Sequence, residues 1–566
     1  MASSDIRFRQ RWHDGAMTDG AAVTWEKPGP GTWELDSSHA SPSPGPIQRD
    51  LYEEALPAGM KEGLSRFGAP ISHMEMRWVH GRFYRRLVPV VGGNRDLPPP
   101  PKPLLWLAAR LHPELRRQER LARETLATKG WQAELDRWEA EWKPELLATN
   151  RTFTAVDVAS LDDVGLAEHL AAVHAHLRDT TRLHFRLHVS DMGPLGLLMV
   201  QLEDAGLHRD DTFRALVHAS PATAAPAERL RQIAAAVRDA GVDPAHLTSL
   251  DQVRVASTDA AKLLAAHLEE YGWRLTTGYD IEDRCLAELP DVLLASIRAA
   301  ASREAPVDDA HLPAIAALRD EVPAEHQGAF DDAVQDARAS YGLRDENGPL
   351  TYEWPAGLLR RGLLEAGRRL ADRDALGAAD EVFELRVPEV SALLTGAGGP
   401  ARAEIDARAA TRRWEVTLEP PAVLGPPASP PPAEALPPSL ARMTRVILTV
   451  VAALEADGDR EPLSGMGIGD EPYTGTARVV HDAVEALATM EPGDVIVAPY
   501  TAPTYNAVLA MAGAIVTEEG GLLCHAAVIA RELGLPAVIG ASGAMTSIPD
   551  GAIVEVDPAR GRVVVR

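Results

Sequence analysis

Between residues 418 and 440 the sequence reads "LEPPAVLGPPASPPPAEALPPSL", nine prolines in 23 positions. Neither a helix nor a central strand tolerates that density, because each proline removes a backbone donor and fixes φ. The stretch therefore divides the chain into parts that must bury their apolar surface separately. In polyproline geometry, at about 3.1 Å per residue, it spans roughly 70 Å. That is enough for a tether, and a strap fixed along the preceding unit satisfies the same composition.

The parts on either side have different periodicities. Residues 1–103 are rich in Pro, Gly and Trp, with turn signals such as "EKPGPGTW" and "SPSPGPIQRD", and only "RWVHGRFYRRLVPVV" reads as a strand pair. From 104 to 417 apolar residues recur at helical spacing, as in "LLWLAARLHPELRRQERLARETLA" and "PAGLLRRGLLEAGRRLADR". No repeat of 20 to 50 residues is evident. The segment 441–566 opens with a leading helix. It then alternates short β-branched runs ("YTGTARVV", "GDVIVAP", "GAIVTE", "PAVIGA", "GAIVEVD", "GRVVVR") with helical ones. The expected architecture is multidomain, a large helical domain followed by a compact α/β domain.

The 566 residues allow two to four domains. A formal charge of −25 argues against nucleic acid or an anionic lipid surface as partner. Cys285 and Cys524, the two cysteines of the sequence, cannot build a disulfide framework. The N-terminus, "MASSDIRFRQRWHDGAM", has no apolar signal core, and "VILTVVAALEA" is too short to span a bilayer. These features fit a cytoplasmic protein.

The densest chemistry lies in "TEEGGLLCHAAVIARELGLPAVIG", residues 517–540, which parses as strand end, tight turn, helix and strand. Gly520 and Gly521 supply backbone freedom. His525 falls in the first helical turn, where unpaired N–H groups and the helix dipole favour an anion. Such an imidazole can be a phosphate ligand, a general base, or a nucleophile that is itself phosphorylated.

Over about residues 465–566, "GDVIVAPYTAP", "AGAIVTEEGG" and "GGLLCHAAVIARELGLPAVIG" resemble the phosphohistidine swivelling domain of the phosphoenolpyruvate-utilising enzymes. The resemblance implies that His525 carries a phosphoryl group. Gly520, Gly521 and Cys524 form the surrounding loop, with Cys524 a small packed residue. Leu523 stands where dikinase-type members have threonine, and "GGLLxH" is more similar to rifampin phosphotransferase and the larger phenylphosphate synthase subunit. No ATP-grasp signature is legible ahead of the helical region, and no phosphoenolpyruvate-binding barrel follows Arg566. The layout thus resembles an acceptor-binding domain plus a carrier domain, which implies loading by Mg²⁺·ATP bound to an ATP-grasp protein in trans. The acceptor it implies is a small hydroxylated molecule, with aromatic ones among the choices.

In the helical region the same resemblance singles out Arg344, in "GLRDENG", as a phosphate contact, with Arg360 and Arg361 as further sources of positive charge. His184 and His188, four apart on one helix face, are candidates for a base or metal pair. Trp106, Trp131, Trp138 and Trp142 are candidates for lining an aromatic pocket or for core. Glu518 and Glu519 are candidates for holding Mg²⁺ or for solvated turn charges. The competing readings are a regulatory phosphohistidine carrier that turns nothing over, a pyruvate-type transfer component, and a kinase that activates a hydroxyl for a later enzyme.

Overall fold

The structure is a computed structural model that describes residues 23–36, 40–93, 101–216, 219–302, 311–426, 432–454, 461–469, 471–501, 505–509 and 511–566. The extreme N-terminus, read above for a leader, and part of the proline-rich stretch lie outside these residues.

The helical body is organised by one element. Helix α2 (Asp163–Asp204) runs 42 residues, about 63 Å at 1.5 Å per residue. It opens with Asp162 accepting the Gly165 N–H, a side-chain N-cap. Packed along it are α1 (Pro46–Phe67), α3 (Gln327–Gly348), α4 (Trp354–Ala371) and α5 (Pro438–Leu454). Their shared core includes Leu51, Leu56, Trp138, Leu170, Leu177, Leu187, Trp354 and Leu363. Helix α1 lies in the segment where little regular structure is legible. Gly59 and Gly63, which obscure its helical signal, are where it crosses α2, for a Cβ at either would strike the carbonyl oxygen of Arg182 or Arg186.

The expected strand pair is β2 (Ile71–Val79) and β3 (Arg82–Pro89), in a four-stranded sheet with β1 (Trp33–Leu35) and β4 (Val423–Leu424). Strand β4 comes from the proline-rich stretch, so that stretch is fixed at its start. Leu35 N donates to Ala422 O at 2.9 Å and Tyr84 Oη to Pro421 O at 2.7 Å. The described residues of the stretch are therefore held on the helical body at either end. The boundary expected near residue 440 also moves, because α5 packs on α2 and on the helix Pro113–Thr128. Leu440 N donates to Glu119 at 2.8 Å, and Arg445 pairs with Asp204 at 2.8 Å. The leading helix belongs to the helical body.

The C-terminal unit is a seven-stranded sheet ordered β11-β10-β6-β7-β8-β9-β5. Its members are β5 (Met466–Ile468), β6 (Tyr473–Val479), β7 (Val495–Ala498), β8 (Ala514–Thr517), β9 (Ala537–Ile539), β10 (Ile553–Asp557) and β11 (Arg562–Val565). Strands β6 to β9 pair in parallel, and the outer strands are antiparallel. Both faces are covered. Ile496, Ala498 and Ile515 pack on the side of helix α6 (His525–Leu533), and Val495, Val497 and Val516 on the other, as parallel strands require. No described helix is long and apolar enough to cross a membrane.

The placement of α5 is testable at Gly196, where an added Cβ would lie 2.7 Å from Val450 Cγ2 and 2.8 Å from Val446 Cγ1. Gly196→Val should destabilise the helical body by about 1–3 kcal/mol through overpacking, read as a lower denaturation midpoint. Gly193→Ala, on the same helix with nothing within 4 Å of its Cβ, should cost nothing.

Candidate active site

Strand β8 delivers the chain to the site with every residue buried. Beyond it, Gly520 takes φ +110°, and a Cβ there would come within 2.9 Å of Cys524 Sγ; glycine is required on both counts. Gly521, expected to share that freedom, has no positive φ. Its carbonyl instead accepts the Cys524 N–H at 3.0 Å. Cys524 is the N-cap residue of α6 and His525 the first helical residue, while Gly534 ends the helix at φ 64°. Burial pushes the Cys524 thiol up, which suits a packed residue better than a thiolate.

The His525 ring meets Thr501 Oγ1 at 2.8 Å through Nδ1. It retains some accessible surface, yet the surrounding protein desolvates it and lowers its pKa to about 3. The imidazole is thus neutral at ordinary pH, the form that can act as a nucleophile. Thr501 sits within "APYTAP" and was not singled out from the sequence, because a lone threonine in a loop carries no spacing signal.

The turn before His525 is docked on the helical body. Leu522 and Leu523 share an apolar cluster with Phe213, Leu216, Tyr341 and Val450. The Arg531 guanidinium lies 4.0 Å from the Phe213 ring centroid and donates to Leu522 O at 2.7 Å. Arg344, on α3, donates to Leu523 O at 2.9 Å and to Tyr341 Oη at 3.2 Å. Arg344 therefore stands two residues from His525 in the docked chain. Leucine at 523 serves this contact.

Beside the docked turn the helical body presents a group of polar and aromatic side chains. Tyr279 is 38% exposed, and burial raises its phenol above the ordinary value, with Glu353, Cys524, Tyr500 and Arg344 as its charged or titratable neighbours. Glu353 and His184 flank Gly348, 3.6 and 4.0 Å from the position of an added Cβ. The His184 and His188 rings meet edge to face at 4.6 Å. His188 Nδ1 lies 3.4 Å from Asp191, and Asn347 donates to Asp191 at 3.3 Å and to His184 O at 3.0 Å. Asp191 is an electrostatic neighbour of Arg344, which closes the circuit at Leu523. The structure thus gathers His184, His188 and Arg344 into one group beside the turn that carries Cys524 and His525. Tyr279, Glu353, Asp191 and Tyr500 complete it, and none of these four was a sequence candidate.

Other candidates fall elsewhere. Arg360, expected to supply positive charge, is committed to Glu288 at 2.8 and 3.0 Å and to the Glu282 carbonyl at 2.8 Å; it braces the loop that carries Tyr279. Arg361 donates to the carbonyls of Phe153, Thr154 and Val156. Trp131 and Trp138 are core, Trp142 packs against that core and stacks with Arg137 and Arg186, and Trp106 is exposed under Arg110. The group draws its aromatic side chains from tyrosines instead. Among the described residues no three of His, Cys, Asp and Glu converge to hold a metal ion, Glu518 and Glu519 included.

Residues 490–561 match the family described as "PEP-utilising enzyme, mobile domain". The C-terminal α/β unit carries that mobile domain, and over it the chain is similar to the phosphoenolpyruvate-utilising enzymes. Among curated relatives, the phosphoenolpyruvate synthase of Escherichia coli is 45% identical over 97 residues, 17% of this chain and 12% of that protein. An uncharacterised phosphotransferase of Bacillus subtilis, YvkC, is 28% identical over 53% of this chain and 35% of its own length. The chondramide synthase of Chondromyces crocatus is 28% identical over 96% of this chain, which corresponds to 14% of that protein. This chain thus spans a minor part of each of these relatives.

Thr501→Val removes the Nδ1 partner while preserving shape. Loss of one buried hydrogen bond, about 0.5–1.5 kcal/mol, should slow chemical phosphorylation of the His525 ring by phosphoramidate roughly three- to ten-fold with the thermal midpoint nearly unchanged. The rate of label incorporation measures it.

Proposed function

We propose that this chain is the carrier and acceptor component of a phosphotransferase, and that His525 passes a phosphoryl group to a hydroxyl of a small molecule seated on the helical body beside the docked turn. The observation that carries this reading is the docking of the His525 turn on the helical body, held by the Arg344 bond to Leu523 O and the seating of Leu522 and Leu523.

Loading falls to an ATP-grasp protein in trans, which binds Mg²⁺·ATP and delivers the β-phosphoryl with release of AMP and phosphate. In the tautomer whose Nδ1–H donates to Thr501 Oγ1, 2.8 Å away, the attacking atom is Nε2. The neutral ring supports this role. Once formed, the phosphoryl group lies at the start of α6, where the helix dipole favours negative charge.

In transfer, the acceptor oxygen bonds to phosphorus as the P–Nε2 bond breaks. The bonding pair returns to Nε2, and the hydroxyl proton leaves to a base. Arg344 supplies fixed positive charge where the phosphoryl group migrates. Tyr279 and Tyr500 present apolar faces with polar tips there, which suits an acceptor with an aromatic or flat apolar part.

Incubation with Mg·ATP and an ATP-grasp partner should place a base-stable, acid-labile phosphate on the wild type and none on His525→Ala. Arg344→Ala should still accept the label but discharge it about ten-fold or more slowly. Label that persists on the wild type in the presence of every hydroxylated candidate would favour a regulatory carrier instead.

A further inference from the structure

Glu353 is unusual among the side chains grouped beside the docked turn. It ends a π-helical turn, Pro349–Glu353, inserted between α3 and α4. Such turns interrupt regular bonding and occur preferentially at functional sites. The turn buries Leu350, Thr351 and Tyr352 and leaves Glu353 partly accessible. Among the described residues its carboxylate makes no hydrogen bond and no ion pair. A half-buried carboxylate without partners is costly and calls for a reason beyond packing.

Its surroundings supply one. Arg344, which holds Leu523 O at 2.9 Å two residues before His525, lies one helical turn before Gly348, and Glu353 Oε1 lies 3.6 Å from the position of a Cβ on Gly348. The other bases of the group are engaged: His184 Nδ1 meets Thr351 Oγ1 at 3.1 Å, and His188 meets Asp191. Arg274 is the cation that acts on Glu353. It is held back by the Glu270 carbonyl, to which it donates at 3.0 Å, and by the Tyr271 and Trp354 rings. His184 and Tyr279 are the titratable groups beside Glu353, with Glu346 and Arg344 one neighbour further out.

From this placement we infer that Glu353 is the general base of phosphoryl transfer, a catalytic residue that takes the proton from the acceptor hydroxyl as its oxygen bonds to phosphorus and the P–Nε2 bond of phosphohistidine 525 breaks. The inference rests on the phosphotransferase reading above. The carboxylate oxygen gains the proton, Nε2 regains its electron pair, and nothing is oxidised or reduced. Burial raises the Glu353 carboxyl to about 7, with Arg274 opposing. The base form therefore predominates above that pH and is lost below it, a poise suited to proton transfer near neutrality.

Water is an acceptor that is always present, so the test needs no identified substrate. The full chain is phosphorylated chemically with phosphoramidate. Label on His525 is followed by mass spectrometry, with His525→Ala defining the background from the other histidines. Discharge is timed between about pH 6 and pH 9 for wild type, Glu353→Gln and Glu353→Asp, each checked for an unchanged thermal midpoint.

Phosphohistidine by itself hydrolyses faster in acid, so base catalysis announces itself by the opposite slope. Wild-type discharge should rise through about pH 7 and level off. Glu353→Gln should be slower by about ten-fold or more and lack the rise, while Glu353→Asp keeps a rise at reduced rate. Equal lifetimes and equal pH profiles for wild type and Glu353→Gln would overturn the role of Glu353 and leave the carrier reading standing. Failure of wild-type His525 to hold any label would overturn both.

Discussion

The seating of two leucines decides what this molecule can do. Leu522 and Leu523 enter an apolar cluster of the helical body, and the adjoining carbonyls are taken up by Arg531 and Arg344. Because these contacts lie immediately before α6, they fix where the helix begins and hence where His525 points. Burying two leucines is worth a few kcal/mol at most, about 1.5–3 each. That is strong enough to define a docked state and weak enough to be left by a domain that visits a loading site, as the proposed carrier role requires.

Both sides of the contact are built to be rigid. The carrier side rests on β8, buried on both faces, and on a glycine whose conformation no other residue adopts easily. The acceptor side rests on α2 and on the continuous run from α3 through the π-helical turn into α4. Rigid elements meeting through a small apolar contact are a physical requirement for in-line transfer, where misplacement by an ångström is costly. The Leu440 bond to Glu119 adds to this by fastening α5 to the body rather than letting it follow the carrier.

The sequence disclosed these features unevenly. Strands β6 to β11 were legible because each is a β-branched run bounded by turn residues. Strand β5, three residues with Gly467 at its centre, was not. His525 stood out because a glycine-rich turn, a histidine and a capped helix lie within a few positions of one another. Part of the neighbouring side-chain group was hidden for the opposite reason. Tyr279, Glu353 and Asp191 come from separate segments, and only the packing of α2 and α3 and the loop before Cys285 brings them together. Arg360 misled because an arginine on a helix face looks alike whether it awaits phosphate or grips Glu288. Helix α1 was missed because the glycines that let it approach α2 dilute its periodicity.

The claim that the docked state is the transfer state can be measured directly. Cysteines introduced as Phe213→Cys and Arg531→Cys, in a Cys524→Ser background, place a bridgeable pair where the Arg531 guanidinium now covers the Phe213 ring. Protein loaded first and then cross-linked with a short bis-maleimide should discharge its phosphohistidine at the rate of the unlinked protein and refuse a second loading. Cross-linked protein that reloads as readily as the free form, or that holds its label indefinitely, would contradict the account.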